Sequence, residues 1–196
     1  MKQFAKQQKI GTSDIVMLGN SLTEYAGDWN KLLKTQHIRN RGIAGDVAMG
    51  IYQRLNTILP YRPKAIFLMV GTNDVSHNLS PSQVFGLCKK VIDKIRQDAP
   101  QTQLFVQSLL PFNESFGRWK LLEGKSAHIP RINALLEKYC HENNIPFINL
   151  YPQFIRKGTD ELRRELTTDG LHLSPIGYKR WAFELRRYIK ALDAQQ

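Results

Sequence analysis

The sequence predicts a three-layer α/β domain with a central, parallel, five-stranded sheet. Five short apolar runs recur along the chain, and segments with helical periodicity separate most of them. The central run, AIFLMV, is apolar without alternation. That pattern is typical of a parallel strand covered by helices on both faces.

The apolar runs alternate with helices in a regular order. The predicted strands are DIVMLGN, IRNRGIA, KAIFLMVG, QLFVQSLLP and PFINL. The predicted helices between them span residues 29–36, 47–59, 81–98 and 129–143. Segments of this length serve as right-handed crossovers between parallel strands. A last helix, 175–192, begins with Ser174 as a cap and Pro175 at the first helical position.

Length and composition indicate a single domain, residues 1–196, because no Pro/Gly/Ser-rich linker divides the chain. A domain of this size needs neither disulfides nor a metal, and we expect Cys88 and Cys140 to pack in the core. No run approaches the roughly 20 apolar residues of a membrane helix, and the start, MKQFAKQQKI, lacks the apolar centre of a signal peptide. We expect a soluble chain, with its compartment and oligomeric state left open.

The charge balance is strongly basic, with 28 Lys and Arg against 17 Asp and Glu, a formal net charge of +11. Such a balance raises the possibility of a nucleic-acid partner. Acidic residues are interleaved with the basic ones, however, in RKGTDELRREL and YKRWAFELRRYIK, and no aromatic-rich base-stacking motif accompanies them. We therefore expect a solvated basic surface and no nucleic-acid partner.

Polar and small residues follow the first three predicted strands. Ser21 follows the first strand, Gly45 follows the second within GIAGD, and Asn73 follows the third within GTND. Asp169 and His172 lie in DGLHLSP, just before the last helix. Ligands of open α/β sheets collect at the carboxyl ends of the strands. We therefore expect these residues to meet at one edge of the sheet.

These residue types are the parts of an acyl-transfer site. Ser21 is the candidate nucleophile, His172 its base, and Asp169 the carboxylate that orients the imidazole. The backbone N–H groups of Ser21 and Gly45, with the side-chain amide of Asn73, are the candidate oxyanion donors. Taken singly, each residue has an ordinary structural alternative: Ser21, for example, is also a suitable helix cap.

The segment 112–128 interrupts the alternation of strands and helices. It is too long for an ordinary connection and contains several aromatic residues, which predicts a rim or a lid over the site. The candidate residues of a substrate rim are Asn20, Phe112 and Trp119.

Four sequence blocks, GNSLT, GIAGD, GTND and DGLHLS, resemble those of the SGNH hydrolases, also called the GDSL esterase/lipase family. The chain is most similar to single-domain bacterial acylhydrolases and to the platelet-activating factor acetylhydrolase-like group. The resemblance implies a flavodoxin-like α/β/α fold and hydrolysis of esters or thioesters through an acyl-enzyme on Ser21, without metal or cofactor. In one departure, Asn20 replaces the family's usual Asp before the serine.

Other hydrolytic classes fit the sequence poorly. The second glycine of the G-x-S-x-G turn is absent, the five histidines are scattered without metal-ligand spacing, and no phosphate-binding glycine loop occurs. The leading hypothesis is a serine esterase that removes a short acyl group, acetyl first, from an alcohol such as a sugar hydroxyl. The alternatives are a lysophospholipase or thioesterase for longer chains, and a non-catalytic glycan- or nucleic-acid-binding module on the same fold.

Overall fold

Five parallel strands form one sheet in the order β2-β1-β3-β4-β5, in a computed structural model that describes residues 9–194. The strands are β1 Ile15–Gly19, β2 Ile38–Gly42, β3 Ala65–Met69, β4 Gln103–Gln107 and β5 Phe147–Ile148. Every residue of β1 and β3 is buried. The predicted five-stranded parallel sheet is confirmed.

Seven α-helices accompany the sheet in the described part of the chain. They are α1 Ser21–Glu24, α2 Trp29–Leu33, α3 Ala48–Arg54, α4 Thr72–Ser76, α5 Pro81–Asp98, α6 His128–Glu142 and α7 Pro175–Asp193. Helices α3, α5 and α6 pack side by side, and α2 packs against α7. These two helical groups cover the sheet, as the predicted three-layer architecture requires.

Helices α5 and α7 begin at their predicted first residues because these ends carry local signals. Ser80 and Gln83 form a capping box at the start of α5, and the Ser174 side chain accepts the Gly177 N–H at the start of α7. The predicted helix 29–36 stops at Leu33, since Lys34 takes a left-handed conformation with φ 59°.

The predicted helix 47–59 is shorter than expected. It ends at Arg54 and continues as two 3-10 turns, Leu55–Thr57 and Leu59–Tyr61. Pro60 lies in the second turn, where it has no N–H to donate to a helical ladder. Helix α4 is an addition that hydrophobic periodicity did not predict, because five residues are too few to show a period.

The chain changes direction across the sheet at β1. Strand β2 pairs with one side of β1 and β3 with the other, and Gly19 lies level with both Gly42 and Met69. The loops that follow these three strands therefore leave the sheet side by side. This is the topological switch point at which open α/β sheets bind ligands.

The core contains large side chains from both helical layers. Trp29 of α2 and Trp181 of α7 meet edge to face at 5.0 Å, and both are almost fully buried. Cys88 and Cys140 are free thiols within the core, as predicted. Burial raises the pKa of Cys140 to about 11. Within residues 9–194, no helix combines the length and the apolar character that crossing a membrane requires.

Candidate active site

The first loop of the site is a sharp turn from β1 into α1. Asn20 is the helix N-cap, and its side-chain oxygen accepts the Leu22 N–H at 3.0 Å. Ser21 is the first helical residue, as its expected place at a helix start requires, and Asn20, not Ser21, is the cap. Asn20 is only 2% exposed. It therefore starts the helix and does not lie on a substrate rim, which corrects that prediction.

The structure brings the predicted serine, histidine and aspartate into one chain of hydrogen bonds. His172 Nε2 lies 3.0 Å from Ser21 Oγ, and His172 Nδ1 lies 2.8 Å from Asp169 Oδ2. The three residues come from two loops separated by 151 positions in sequence. This is the geometry in which a base can take a proton from a hydroxyl while a carboxylate holds the base.

The turn 169–172 is built by the Asp169 side chain. Its second oxygen, Oδ1, accepts the backbone N–H groups of Leu171 at 2.9 Å and His172 at 2.7 Å. Burial raises the pKa of Asp169, but hydrogen bonds from the His172 side chain and from these two N–H groups outweigh it. The pKa of Asp169 is therefore held below its ordinary value, and the carboxylate stays charged beside the imidazole.

Two aromatic rings pack against the His172 imidazole. The Tyr25 and Trp119 rings each lie 5.1 Å from it, and Trp119 Nε1 also donates to the Asp169 carbonyl at 3.1 Å. Tyr25 is 54% exposed. Tyr25 was not predicted, although it lies one helical turn after Ser21.

The segment 112–128 forms a wall beside the site. Its Asn113 N–H donates to the Gly170 carbonyl at 2.7 Å, and Glu114 accepts the backbone N–H groups of Gly124 and Ser126. Phe112 is only 2% exposed, so its prediction as a rim residue is wrong. Trp119 is the predicted rim residue that lies beside the histidine.

The predicted oxyanion donors lie on the loops that follow β1, β2 and β3. Within residues 9–194, the N–H groups of Ser21 and Gly45 donate no hydrogen bond. Gly45 has a φ of +78°, a conformation that favours glycine. One N–H of the Asn73 amide donates to the Asp46 carbonyl at 2.8 Å, which leaves its other N–H available.

A second layer of contacts holds these loops together. Arg54 binds the Asp46 carboxylate and the Gly19 carbonyl, and the buried Asp74 carboxylate accepts the Ala48 N–H. Burial raises the pKa of Asp74. No periodicity or motif indicated Arg54, because its partners lie eight and 35 positions away. Among residues 9–194, no group of three or more His, Cys, Asp and Glu side chains is arranged to hold a metal ion.

The fold and this site define an α/β domain that carries a cluster of polar residues at the carboxyl edge of a parallel sheet. The GDSL-like Lipase/Acylhydrolase family matches residues 12–180, and the chain belongs to this family. The protein is therefore an acylhydrolase of the GDSL type.

Known proteins resemble the chain over nearly its whole length. Platelet-activating factor acetylhydrolase IB subunit alpha1 of Rattus norvegicus is 28% identical, over 98% of this chain and 82% of the rat protein. A GDSL-like lipase from Bacteroides thetaiotaomicron has a TM-score of 0.82 and 24% identity, with 97% of each chain covered. The acetyl xylan esterase AlAXEase has a TM-score of 0.73 and 20% identity, over 90% of this chain and 98% of its own.

Proposed function

We propose that the protein is a serine esterase that removes a short acyl group, acetyl first, from an alcohol such as a sugar hydroxyl. The observation that carries the proposal is the hydrogen-bond chain from Ser21 through His172 to Asp169, at 3.0 and 2.8 Å. A purely glycan- or nucleic-acid-binding module has no need of this chain, so the geometry favours catalysis.

In the first half of the reaction, Ser21 Oγ attacks the ester carbonyl while His172 Nε2 takes the hydroxyl proton. Asp169 holds the imidazole in position and stabilises the imidazolium that forms. When the tetrahedral intermediate collapses, the bond to the leaving oxygen breaks and His172 returns the proton to the alcohol. The acyl group remains on Ser21.

In the second half, a water molecule replaces the alcohol. His172 takes one proton from the water as its oxygen attacks the acyl carbonyl, and the same proton then returns to Ser21 Oγ. The carboxylic acid leaves and the free serine is restored. Both halves pass through an oxyanion, which the Ser21 and Gly45 N–H groups and the Asn73 amide are proposed to bind.

The surroundings of the site support a short acyl group. Of the apolar residues in segment 112–122 that were candidates for an acyl tunnel, Phe112 and Leu122 are buried in the core, and Leu121 is 68% exposed. The rat relative carries the name acetylhydrolase. The acetyl xylan esterase shares only the fold with this chain, so the sugar alcohol rests on analogy.

One feature favours a larger and more apolar substrate, as a lysophospholipase or thioesterase would take. A cavity of about 350 Å³ is lined mainly by apolar surface, including Tyr25, Leu32, Leu173 and Tyr178. Its lining includes Tyr25, whose ring packs on His172, but neither Ser21 nor His172 itself.

The test compares Ser21→Ala and His172→Ala with the wild type on p-nitrophenyl acetate. We expect both variants to lose at least about a thousandfold in kcat, because each removes a member of the proton-transfer chain. Ser82→Ala and His141→Ala, both exposed on helices away from the site, are the matched controls and retain activity. Wild-type turnover in both site variants would overturn the mechanism.

A chain-length series of p-nitrophenyl esters tests the acyl group. We expect kcat/KM to be highest for acetate and to fall with longer chains. Preference for eight carbons or more would replace the short-acyl proposal with the lysophospholipase or thioesterase alternative. If a fluorophosphonate probe leaves Ser21 unlabelled while the protein binds glycans or RNA, the non-catalytic alternative holds instead.

The role of Asn73 is tested separately from the triad. We expect Asn73→Ala to lower kcat by about 10²- to 10³-fold with little change in KM, because the amide is needed most when charge develops on the carbonyl oxygen. Steady-state kinetics on p-nitrophenyl acetate give both constants. A kcat within twofold of the wild-type value would remove Asn73 from the oxyanion site.

A further inference from the structure

A largely buried ion pair, Arg54–Asp46, lies next to the proposed oxyanion donor Gly45, and the mechanism above does not use it. Arg54 Nε lies 2.7 Å from Asp46 Oδ2, and the two side chains are only 12% and 11% exposed. Burial lowers the pKa of Arg54 and the neighbouring carboxylate of Asp46 opposes that effect, so the guanidinium stays charged. Asp46 immediately follows Gly45, the second proposed oxyanion donor.

The same guanidinium also reaches the turn that carries the nucleophile. Arg54 Nη2 donates to the Gly19 carbonyl at 3.0 Å, and that carbonyl also accepts the Ile43 N–H at 3.1 Å. Gly19 lies two residues before Ser21. One planar side chain therefore contacts both the last residue of β1 and the loop after β2.

Asn73, the third proposed oxyanion donor, also binds Asp46. The Asn73 amide donates to the Asp46 carbonyl at 2.8 Å, and Asp46 N–H donates to the Ile43 carbonyl at 3.1 Å. Asp46 thus holds Arg54 with its carboxylate, Asn73 with its carbonyl and the turn with its N–H. Each proposed donor is therefore close to this network. Ser21 lies two residues after Gly19, Gly45 lies one residue before Asp46, and Asn73 binds Asp46 directly.

We propose that Arg54 is a positioning residue that aligns the three oxyanion donors by binding Asp46 and the Gly19 carbonyl at once. The inference rests on the proposed function. A buried ion pair contributes little net stability, because desolvation offsets most of the attraction between its charges. A two-pronged guanidinium is, however, well suited to fixing two loops in one geometry.

A glycine in helix α3, Gly50, leaves room for the Asp46 carboxylate of this ion pair. Gly50 lies on the helix between the two charged residues, and a Cβ there would overlap Asp46 Oδ1. Any larger residue must push the carboxylate away from its position beside Arg54. Gly86 of α5 offers a contrast, because a Cβ there would meet no atom within 4 Å.

The first test replaces Arg54 with Met and with Lys. We expect Arg54→Met to lower kcat on p-nitrophenyl acetate by about ten- to a hundredfold with KM within about twofold, because the donors lose their alignment. Arg54→Lys keeps the charge but not the fork, and we expect an intermediate kcat. A kcat of Arg54→Met equal to that of the wild type would overturn the proposal.

The matched control is the Arg39–Asp14 ion pair at the opposite, amino end of the same strands. Its closest approach is 2.9 Å, and its side chains are 17% and 4% exposed. Arg39→Met breaks a comparable pair far from the proposed donors. We expect it to change the unfolding midpoint and to leave kcat unchanged. An equal loss of kcat in Arg39→Met and Arg54→Met would show a general structural effect and overturn the positioning role.

A double-mutant cycle tests whether Arg54 acts through the donors. We expect Arg54→Met to cost several-fold less in the Asn73→Ala background than in the wild type, because the shared function is already impaired. Fully additive losses would contradict the proposal. Gly50→Ala, with Gly86→Ala as its control, provides the same test if Arg54→Met does not fold. We expect only Gly50→Ala to lower kcat, and an unchanged kcat would overturn the role of the pair.

The results separate this inference from the proposed function. If Ser21→Ala and His172→Ala keep their turnover, the serine mechanism fails and the ion pair has no oxyanion to serve. If those variants are inactive, Asn73→Ala is impaired and Arg54→Met is fully active, the serine mechanism holds and only the positioning role of Arg54 fails.

Discussion

Asn20 and Ser21 perform two separate tasks, capping the helix and presenting a hydroxyl group. The Asn20 side chain caps α1, and Ser21, as the first helical residue, keeps its hydroxyl for His172. The Ser21 N–H lies at the amino end of the helix, where unpaired N–H groups favour negative charge. The Asn20 amide caps the helix, as an Asp carboxylate also could, but it places no charge next to Ser21.

Asp169 is predicted to matter more for catalysis than any other carboxylate of the chain. We expect Asp169→Asn to lower kcat by about 10³- to 10⁴-fold, because an amide favours the wrong imidazole tautomer. Asp98→Asn, at the exposed end of α5, is the control and keeps its kcat. Turnover on p-nitrophenyl acetate measures both variants, and a loss of less than tenfold in Asp169→Asn would contradict the orienting role.

The lowered pKa of Asp169 also predicts a pH dependence of stability. A carboxylate with a depressed folded-state pKa stabilises the fold above its unfolded pKa of about 3.9, and this contribution disappears as the pH falls through the folded-state value. We expect the difference in unfolding free energy between wild type and Asp169→Asn to be larger at pH 6 than at pH 3. Urea unfolding at the two pH values measures it. A free-energy difference that is larger at pH 3 than at pH 6 would contradict the prediction.

At the scale of elements, the short helices α1 and α4 deliver the site residues, whereas the long helices mainly build the layers. Helices of four and five residues gain little from their own hydrogen bonds, so caps and neighbouring loops must hold them. The turn 169–172 depends in the same way on the Asp169 side chain. The site therefore rests on side chains that complete the hydrogen bonds of short elements.

The cap of α1 provides a test of this dependence. We expect Asn20→Ala to cost about 1–2 kcal/mol of stability and to lower kcat, because the buried Leu22 N–H loses its acceptor at the nucleophile turn. Ser80→Ala removes the cap of α5, away from the site, and we expect a comparable cost of about 1 kcal/mol with kcat unchanged. Chemical unfolding and kinetics separate the two. If Asn20→Ala is destabilised but its kcat is unchanged, Asn20 contributes to stability and not to catalysis.

At the scale of the whole molecule, the site is assembled from segments that are far apart in sequence. Trp119 lies 50 residues before Asp169, and its ring packs on His172 while its indole N–H binds the Asp169 carbonyl. The wall 112–128 and the triad loop thus support each other. An irregular segment of this kind acts as part of the scaffold.

The support from Trp119 is measurable. We expect Trp119→Leu to lower kcat by about ten- to a hundredfold, because a small displacement of the imidazole weakens its alignment with Ser21. Trp119→Phe retains a ring and we expect a smaller loss. Phe183→Leu changes a 60% exposed aromatic residue on α7 and serves as the control. If Trp119→Leu has the kcat of the control, the wall does not support the histidine.

The sequence by itself determined the five strands, the long helices and the edge at which Ser21, Gly45 and Asn73 lie. Apolar period, caps and strand ends are local signals, and parallel pairing follows from the crossover helices. The choice of Asn20 over Ser21 as the cap is also local, because it depends on the Leu22 N–H two residues away. Only the tertiary structure decided that Phe112 is buried and that Arg54 joins the end of β1 to the loop after β2. These outcomes depend on packing and hydrogen bonds between segments distant in sequence, which no local pattern encodes.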